Sequence, residues 1–295
     1  MQCVHRSHKE VKMASTYGSK ETPTAIKVIR SVTKAINAVS PNLAGYLAYQ
    51  LFCTPMNRAK TELELNPRQI RVPHKGGYLV GYEWAGTGKT IMLVHGWEAS
   101  AGRFKKLIKL LVEQNYHVIA MDAPAHGASS GRQTNPLDYS DGLYAFAKSI
   151  GDVDTIIAHS FGSPTTMVLL DKHADFKVNN VVLIGAPNRI VDVFRMFAGL
   201  IQLPEKGFER MKYHLERSVG EKADDFNTAT VAATRSERAL IVHDVDDNIV
   251  TVDNGRAIAK AWANAHYYET ENLGHRRILN HSETLNYIIG WIEKS

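Results

Sequence analysis

Cysteine is nearly absent from this sequence. Cys3 and Cys53 stand far apart, outside any C-x-x-C pattern. That excludes a disulfide framework and leaves reduced thiols in a cytoplasmic protein as the expectation. Long apolar runs are missing too. The longest candidate, "NLAGYLAYQLFC", includes Asn and Gln and is too short to cross a bilayer. The basic start "MQCVHRSHKEVKMAS" has no apolar h-region after it, so no secretory signal is read there. Positive charge is not concentrated: a formal +5 is modest for 295 residues, and Lys and Arg are spread out beyond the N-terminal segment. A nucleic-acid partner would call for a basic stripe, and none is expected. No cluster has zinc-ligand spacing, so neither metal nor cofactor is expected. Internal repeats and low-complexity segments are absent as well.

What is present reads as a folded globular chain. Hydrophobic content of 44% and charged content of 22% sit near the globular average. The length allows one large domain or two ordinary ones, with a full core. Residues 1 to about 22 read as a tail. From Thr24, Ile26, Ile29, Val32, Ile36 and Val39 share one helical face while Lys27, Arg30 and Lys34 share the other. Ser40-Pro41 is a helix stop and restart, with Ser40 as N-cap and Pro41 at the first helical position. A second helix carrying Leu43, Leu47 and Leu51 ends near Thr54-Pro55. The pair is expected to dock on the following domain as a helical hairpin. The competing reading is a basic amphipathic helix on an anionic membrane.

The rhythm changes near Pro67. "GYLVGYEWAG" alternates like a half-exposed strand, and strand-length apolar runs follow: "IMLVHG", "YHVIAMD", "VDTIIAHS", "VVLIGAP" and "ALIVHD". Helix-length stretches at 101–114, 135–150 and 161–173 separate the first four. Such alternation implies right-handed crossovers and a mostly parallel sheet with helices on both faces. Between "VVLIGAP" and "RALIVHD" the spacing is too long for one crossover. Its Phe194, Met196, Phe197, Leu200, Ile201, Phe208 and Met211 predict a helical insertion at about 188–236. "AGTGKT" (85–90) suggests a phosphate loop, but Glu83 stands where the first Walker glycine belongs, and the segment runs into a strand. It is read as a Gly-rich hairpin turn.

Chemistry concentrates at "IIAHSFGSP". A serine hydroxyl needs a base to take its proton and an acid behind the base. Ser160 closes one strand and leads into a helix, a tight turn flanked by the small residues Ala158 and Gly162. The amide of Phe161, at that helix's start, is a candidate oxyanion donor. "HDVDDNIV" offers Asp244, Asp246 and Asp247 as acids, and His275 follows the last strand, giving the order Ser, Asp, His.

Several separate motifs now converge. "LVHGWEAS", "MDAPAHGASSG", "AHSFG", "HDVDDNIV" and "NLGHRRIL" together resemble the α/β-hydrolase fold superfamily over about residues 67–295. The resemblance implies a nucleophile at Ser160, an acid at Asp247 with Asp246 as the alternative, and a base at His275. It also implies an oxyanion hole from the amides of Trp97 and Phe161, with His95 and His126 bracing their loops. The insertion at 188–236 falls where a helical cap is common, and residues 1–66 form an extension outside the minimal fold. Two departures are noted: Ala158 replaces the first elbow glycine, and Asp244 replaces the glycine after the acid-loop histidine. His159 is expected to point away from Ser160, and His243 and His281 to be structural. Arg276 and Arg277 are expected to pair with surface carboxylates, the alternative being attraction of an anionic substrate. The implied function is hydrolysis of an ester or thioester with a hydrophobic group through an acyl-enzyme. Acyl transfer, C–C bond hydrolysis and a non-catalytic ligand-binding scaffold are the alternatives.

Overall fold

The computed structural model describes residues 24–294, so the N-terminal tail lies outside the described residues. Two helices come first, α1 (Thr24–Val39) and α2 (Pro41–Phe52). Ser40 is extended at their junction, and its hydroxyl accepts from the Leu43 amide with Pro41 in the first turn. A strand absent from the sequence reading follows, β1 (Arg68–His74), paired antiparallel with β2 (Gly77–Trp84). β1 is a mostly exposed edge strand, so no apolar alternation announces it.

Strands and helices then alternate: β3 (Thr90–Val94), α3 (Lys105–Glu113), β4 (His117–Asp122), α4 (Pro136–Ile150), β5 (Thr155–His159), α5 (Gly162–Lys172) and β6 (Asn180–Ile184). The insertion folds as α6 (Ile190–Leu200), α7 (Glu205–Val219) and α8 (Thr228–Ala232). The chain ends with β7 (Arg238–Asp244), α9 (Val252–Ala261), β8 (Ala265–Thr270), α10 (Gly274–Arg277) and α11 (Ser282–Glu293). Among the described residues no helix is long and apolar enough to cross a membrane.

The eight strands form one sheet in the order β1-β2-β4-β3-β5-β6-β7-β8. Every pairing from β4 onward is parallel. The central strands are buried on both faces, as parallel strands covered by helices must be. Alternate residues feed two cores: Met92, Ile156 and Leu183 on one face, Ile91, Ile157 and Val182 on the other. The 85–89 segment corrects the sequence reading. β4 lies between β2 and β3, so the segment is a connection across the end of β4 rather than a hairpin turn. From β3 the chain steps outward to β4 and then back across to β5, so the loops after β3 and β5 meet at the carboxyl ends of neighbouring strands. That reversal is where open α/β sheets form their binding crevice.

Above this crevice α2 packs tightly on α7. A Cβ on Gly45 would lie 2.4 Å from Cβ of Arg210 and 2.6 Å from the Met211 nitrogen, so the approach requires glycine. The pairing also corrects the expected face of α2. Leu43 and Leu47 are exposed, while Ala44, Gly45, Ala48, Tyr49 and Phe52 are buried. Small residues allow the close approach that leucines would prevent. The α1 stripe divides similarly: Ile26 is buried and Ile29 and Ile36 pack against the core, but Val32 and Val39 face outward.

Candidate active site

Ser160 sits between the end of β5 and the start of α5 with a left-handed φ of +53°. A serine held there is strained, a conformation that persists only where its surroundings enforce it. Its amide donates to the Ile184 carbonyl at 2.9 Å, tying the turn to β6. Gly162 is obligatory in this turn, because a Cβ would come within 2.5 Å of the Val94 carbonyl oxygen and 2.6 Å of that of His95. Ala158 is fully buried two residues before the serine, in register with Val94 and Leu183. Its methyl fills core space and does not hinder the elbow.

Three side chains from three loops form a chain of hydrogen bonds. Ser160 Oγ lies 2.8 Å from His275 Nε2, and His275 Nδ1 lies 2.6 Å from Asp247 Oδ2. The carboxylate can only accept at Nδ1, so that nitrogen carries the proton and Nε2 presents its lone pair to the hydroxyl. Asp247 Oδ1 accepts the amides of Ile249 and Val250, each at 2.9 Å. Burial pushes the Asp247 carboxyl up. The nearby His243 ring, the hydrogen bond and electrostatic attraction from His275, and the Val250 amide outweigh that and hold it well below the usual carboxylate range. Asp246, the alternative acid, is exposed and accepts the Asn272 amide at 2.8 Å. Geometry therefore brings Asp247 to His275 and leaves Asp246 outside.

Asp244 has a different task. Its two oxygens accept the amides of Asp246, Leu273 and Gly274 and the Thr270 hydroxyl, at 2.7–3.1 Å. It thus fixes the loop that delivers His275. Two further histidines touch the chain and were missed as contributors. His243 donates from Nε2 to the Val250 carbonyl at 2.8 Å and lies 3.6 Å from Asp247 Oδ2. His159 does not simply point away: its Nε2 donates to the His275 carbonyl at 2.9 Å, with the rings 4.8 Å apart. Alternation along β5 located His159 away from the Ser160 hydroxyl, but it could not show which loop packs beneath it.

The loop after β3 is braced by neutral histidines. His95 Nδ1 donates to the Gly96 carbonyl while Nε2 accepts the Ala123 amide; His126 Nδ1 donates to the Pro124 carbonyl while Nε2 accepts the Glu98 amide. Each ring must hold one proton to satisfy both partners. Burial, joined by the neighbouring His95, pushes His126 down to about 3. Burial likewise lowers His95. Asp122, fully buried, accepts the Ala101 and Ala128 amides and the hydroxyls of Thr61 and Tyr82, clamping the loop after β4 to the loop after β3.

A family model for the α/β hydrolase fold matches residues 89–231. The chain is 30% identical over 170 residues to a serine hydrolase-like protein of Danio rerio, a match covering 52% of this chain and 47% of that protein. It is 24% identical over 258 residues to 2-hydroxy-6-oxo-6-(2'-aminophenyl)hexa-2,4-dienoic acid hydrolase of Metapseudomonas resinovorans, covering 72% of this chain and 87% of that one. Among solved structures, an esterase from Exiguobacterium antarcticum superposes with a TM-score of 0.61 at 15% identity, covering 77% of this chain and all of that one. The sheet order and these likenesses agree: the chain has the α/β-hydrolase fold. Its match spans less than half the length of the Danio rerio relative.

An aromatic cluster lies beside the Ser160 turn. Phe52, at the end of α2, stacks on Trp97 with centroids 5.3 Å apart, and lies 4.0 Å from Phe194 and 5.4 Å from Phe197. Trp97 in turn meets Phe161 edge-on at 5.4 Å. The sequence reading placed Phe194 and Phe197 in the insertion but gave Phe52 no part; its only signal was its position on the inward face of α2. Arg277 corrects another expectation. It donates to the Leu273 and Asn272 carbonyls rather than to a carboxylate, and among the described residues neither Arg276 nor Arg277 forms an ion pair.

Proposed function

We propose that Ser160 is the nucleophile of a serine hydrolase acting on a carboxylic ester or thioester with a hydrophobic group. The observation that carries this reading is the hydrogen-bond chain from Ser160 Oγ through His275 to Asp247. His275 Nε2 takes the hydroxyl proton as Ser160 attacks the carbonyl carbon. The developing oxyanion is held by the amides of Phe161 and Trp97, the former at the N-terminus of α5, where the helix dipole favours negative charge. His275 then protonates the leaving alcohol or thiol. Water, deprotonated by His275, attacks the acyl-enzyme and frees the acid and Ser160. Asp247 keeps the His275 tautomer and stabilises the imidazolium.

Helices α1 and α2, with the insertion α6–α8, are read as one composite cap. Phe52, Phe194 and Phe197 face the oxyanion-side residues Trp97 and Phe161, which suits a hydrophobic acyl or alcohol group. A second reading rests on the Metapseudomonas resinovorans relative, whose name describes hydrolysis of a dienoic acid substrate. C–C cleavage would use the same three side chains.

The test is intact-mass labelling with a fluorophosphonate beside Ser160→Ala. A single adduct on the parent and none on the variant is the expected outcome, followed by turnover of an ester and thioester panel. An unlabelled parent, with a control hydrolase labelled, would favour a non-catalytic binding scaffold. A labelled parent that turns over vinylogous diketones but no ester would favour the second reading.

A further inference from the structure

Helix α1 presents three faces. Ile26, Ile29 and Ile36 turn inward, Lys27, Ser31 and Lys34 occupy a second side, and Val28, Val32 and Val39 fall within about 40° of one another on a third. Val39 is 88% exposed and Val28 57%. On α2 the outward residues are Leu43, Tyr46 and Leu47, and the neighbouring α6 and α7 expose Met196, Leu200 and Tyr213. These helices are tied together. Arg30 Nε donates to the Leu200 carbonyl, and the His214 ring lies 5.3 Å from Tyr46 and 5.5 Å from Tyr213. Scattered exposed hydrophobics are ordinary, but a concentration in one helical layer marks an interaction surface.

Charge identifies the partner. α1 and α2 carry Lys27, Arg30 and Lys34 and no Asp or Glu. None of these three forms an ion pair among the described residues. Two copies joined through this face by a two-fold axis would bring like charges together. Nor does the preceding sequence suit it as a cover: residues 1–23 add Arg6, Lys9, Lys12 and Lys20 against Glu10 and Glu21, with few large apolar side chains. An anionic bilayer satisfies both components, accepting valine and leucine at the acyl boundary and lysine among the headgroups.

We propose that the α1–α2 surface docks the protein on anionic membrane. Val28, Val32, Leu43 and Leu47 enter the interface, and Lys27 and Lys34 meet the headgroups. The same α2 ends in Phe52, against Trp97 and Phe161, so a docked molecule holds its aromatic cluster close to the lipid. The docking does not rest on the chemistry assigned to Ser160.

The experiment is co-sedimentation of the full chain with vesicles of phosphatidylcholine alone or mixed equally with phosphatidylglycerol. Binding to the anionic vesicles is expected to exceed binding to the zwitterionic ones by at least about tenfold, and to fall steeply near 1 M salt, where charges are screened within about 3 Å. Lys27→Glu/Lys34→Glu and, separately, Val32→Asp/Leu47→Asp should each reduce it about tenfold, with melting temperature unchanged because all four side chains are at the surface. Ser160→Ala should dock like the parent. The proposal is overturned if the parent ignores anionic vesicles, or if both double variants bind undiminished. It is also overturned if sedimentation velocity shows a dimer that Val32→Asp/Leu47→Asp dissolves while vesicle binding is absent.

Discussion

Backbone strain at Ser160 and the small residues around it belong to one local design. The turn holds φ at +53°, and the carbonyls of Val94 and His95 leave no room for a side chain at Gly162. Position 158 faces the core instead, where a methyl is an asset. Ala158→Gly should therefore cost stability and restore nothing: about 1–2 kcal/mol from the lost methyl and the looser strand, with fluorophosphonate labelling within about twofold of the parent. Urea unfolding and labelling rates on the same preparations check it; a gain in reactivity would mean that the methyl distorts the elbow after all. The serine, the histidine and the set of candidate acids were legible because each follows a strand end. The choice of Asp247 over Asp246 needed the fold, since neighbours in sequence lie on opposite sides of a loop.

Among the elements, α2 shows most clearly where local pattern and packing part company. Its leucines suggested the inward face, yet the small residues Ala44, Gly45 and Ala48 are the ones buried. Against α7 the available space decides, not hydrophobicity. Gly45→Leu should force the two helices apart, lowering stability by about 1–3 kcal/mol or more. Because α2 carries Phe52, labelling of Ser160 should also quicken as the aromatic cover loosens. Leu47→Ala on the outer face should stay within about 0.5 kcal/mol of the parent. Thermal melting of the two variants side by side is the check, and equal losses would contradict this packing. The β1 edge strand and the crossing path of residues 85–89 were illegible for a similar reason: nothing local encodes that β4 inserts between β2 and β3.

Buried histidines set how the whole molecule responds to acid. His126 is lowered from 6.5 to about 3 by burial and its neighbour His95, and His95 and His159 are lowered as well, chiefly by burial. Between those values an unfolded chain binds protons that the folded chain refuses, so stability falls as pH drops from about 6.5 toward 3. Asp247 adds a separate loss. Its depressed folded-state value stabilises the fold above about 3.9, the unfolded value, and that contribution disappears as pH falls further. Urea midpoints should thus begin to decline near pH 6.5, before ordinary carboxylates titrate. His126→Gln should be less stable at pH 7, having lost the acceptor for the Glu98 amide, yet show a shallower decline between pH 6.5 and 3. A parent midpoint flat down to pH 4.5 would contradict the neutral-histidine bracing.

By itself the sequence determined the class of fold, the helical pair at the front and the residues able to act as nucleophile, base and acid. Strand periodicity, turn residues and chain order are local properties, and each is written in consecutive letters. Only the tertiary structure decided that Asp247 reaches His275, that Asp244 holds the histidine loop, that His159 and His243 pack against His275 and Asp247, and that Phe52 lies against Trp97 and Phe161 beside the Ser160 turn. Those are contacts between segments far apart in the chain. Their existence depends on strand order and on the closeness of helix packing, which no single stretch of sequence records.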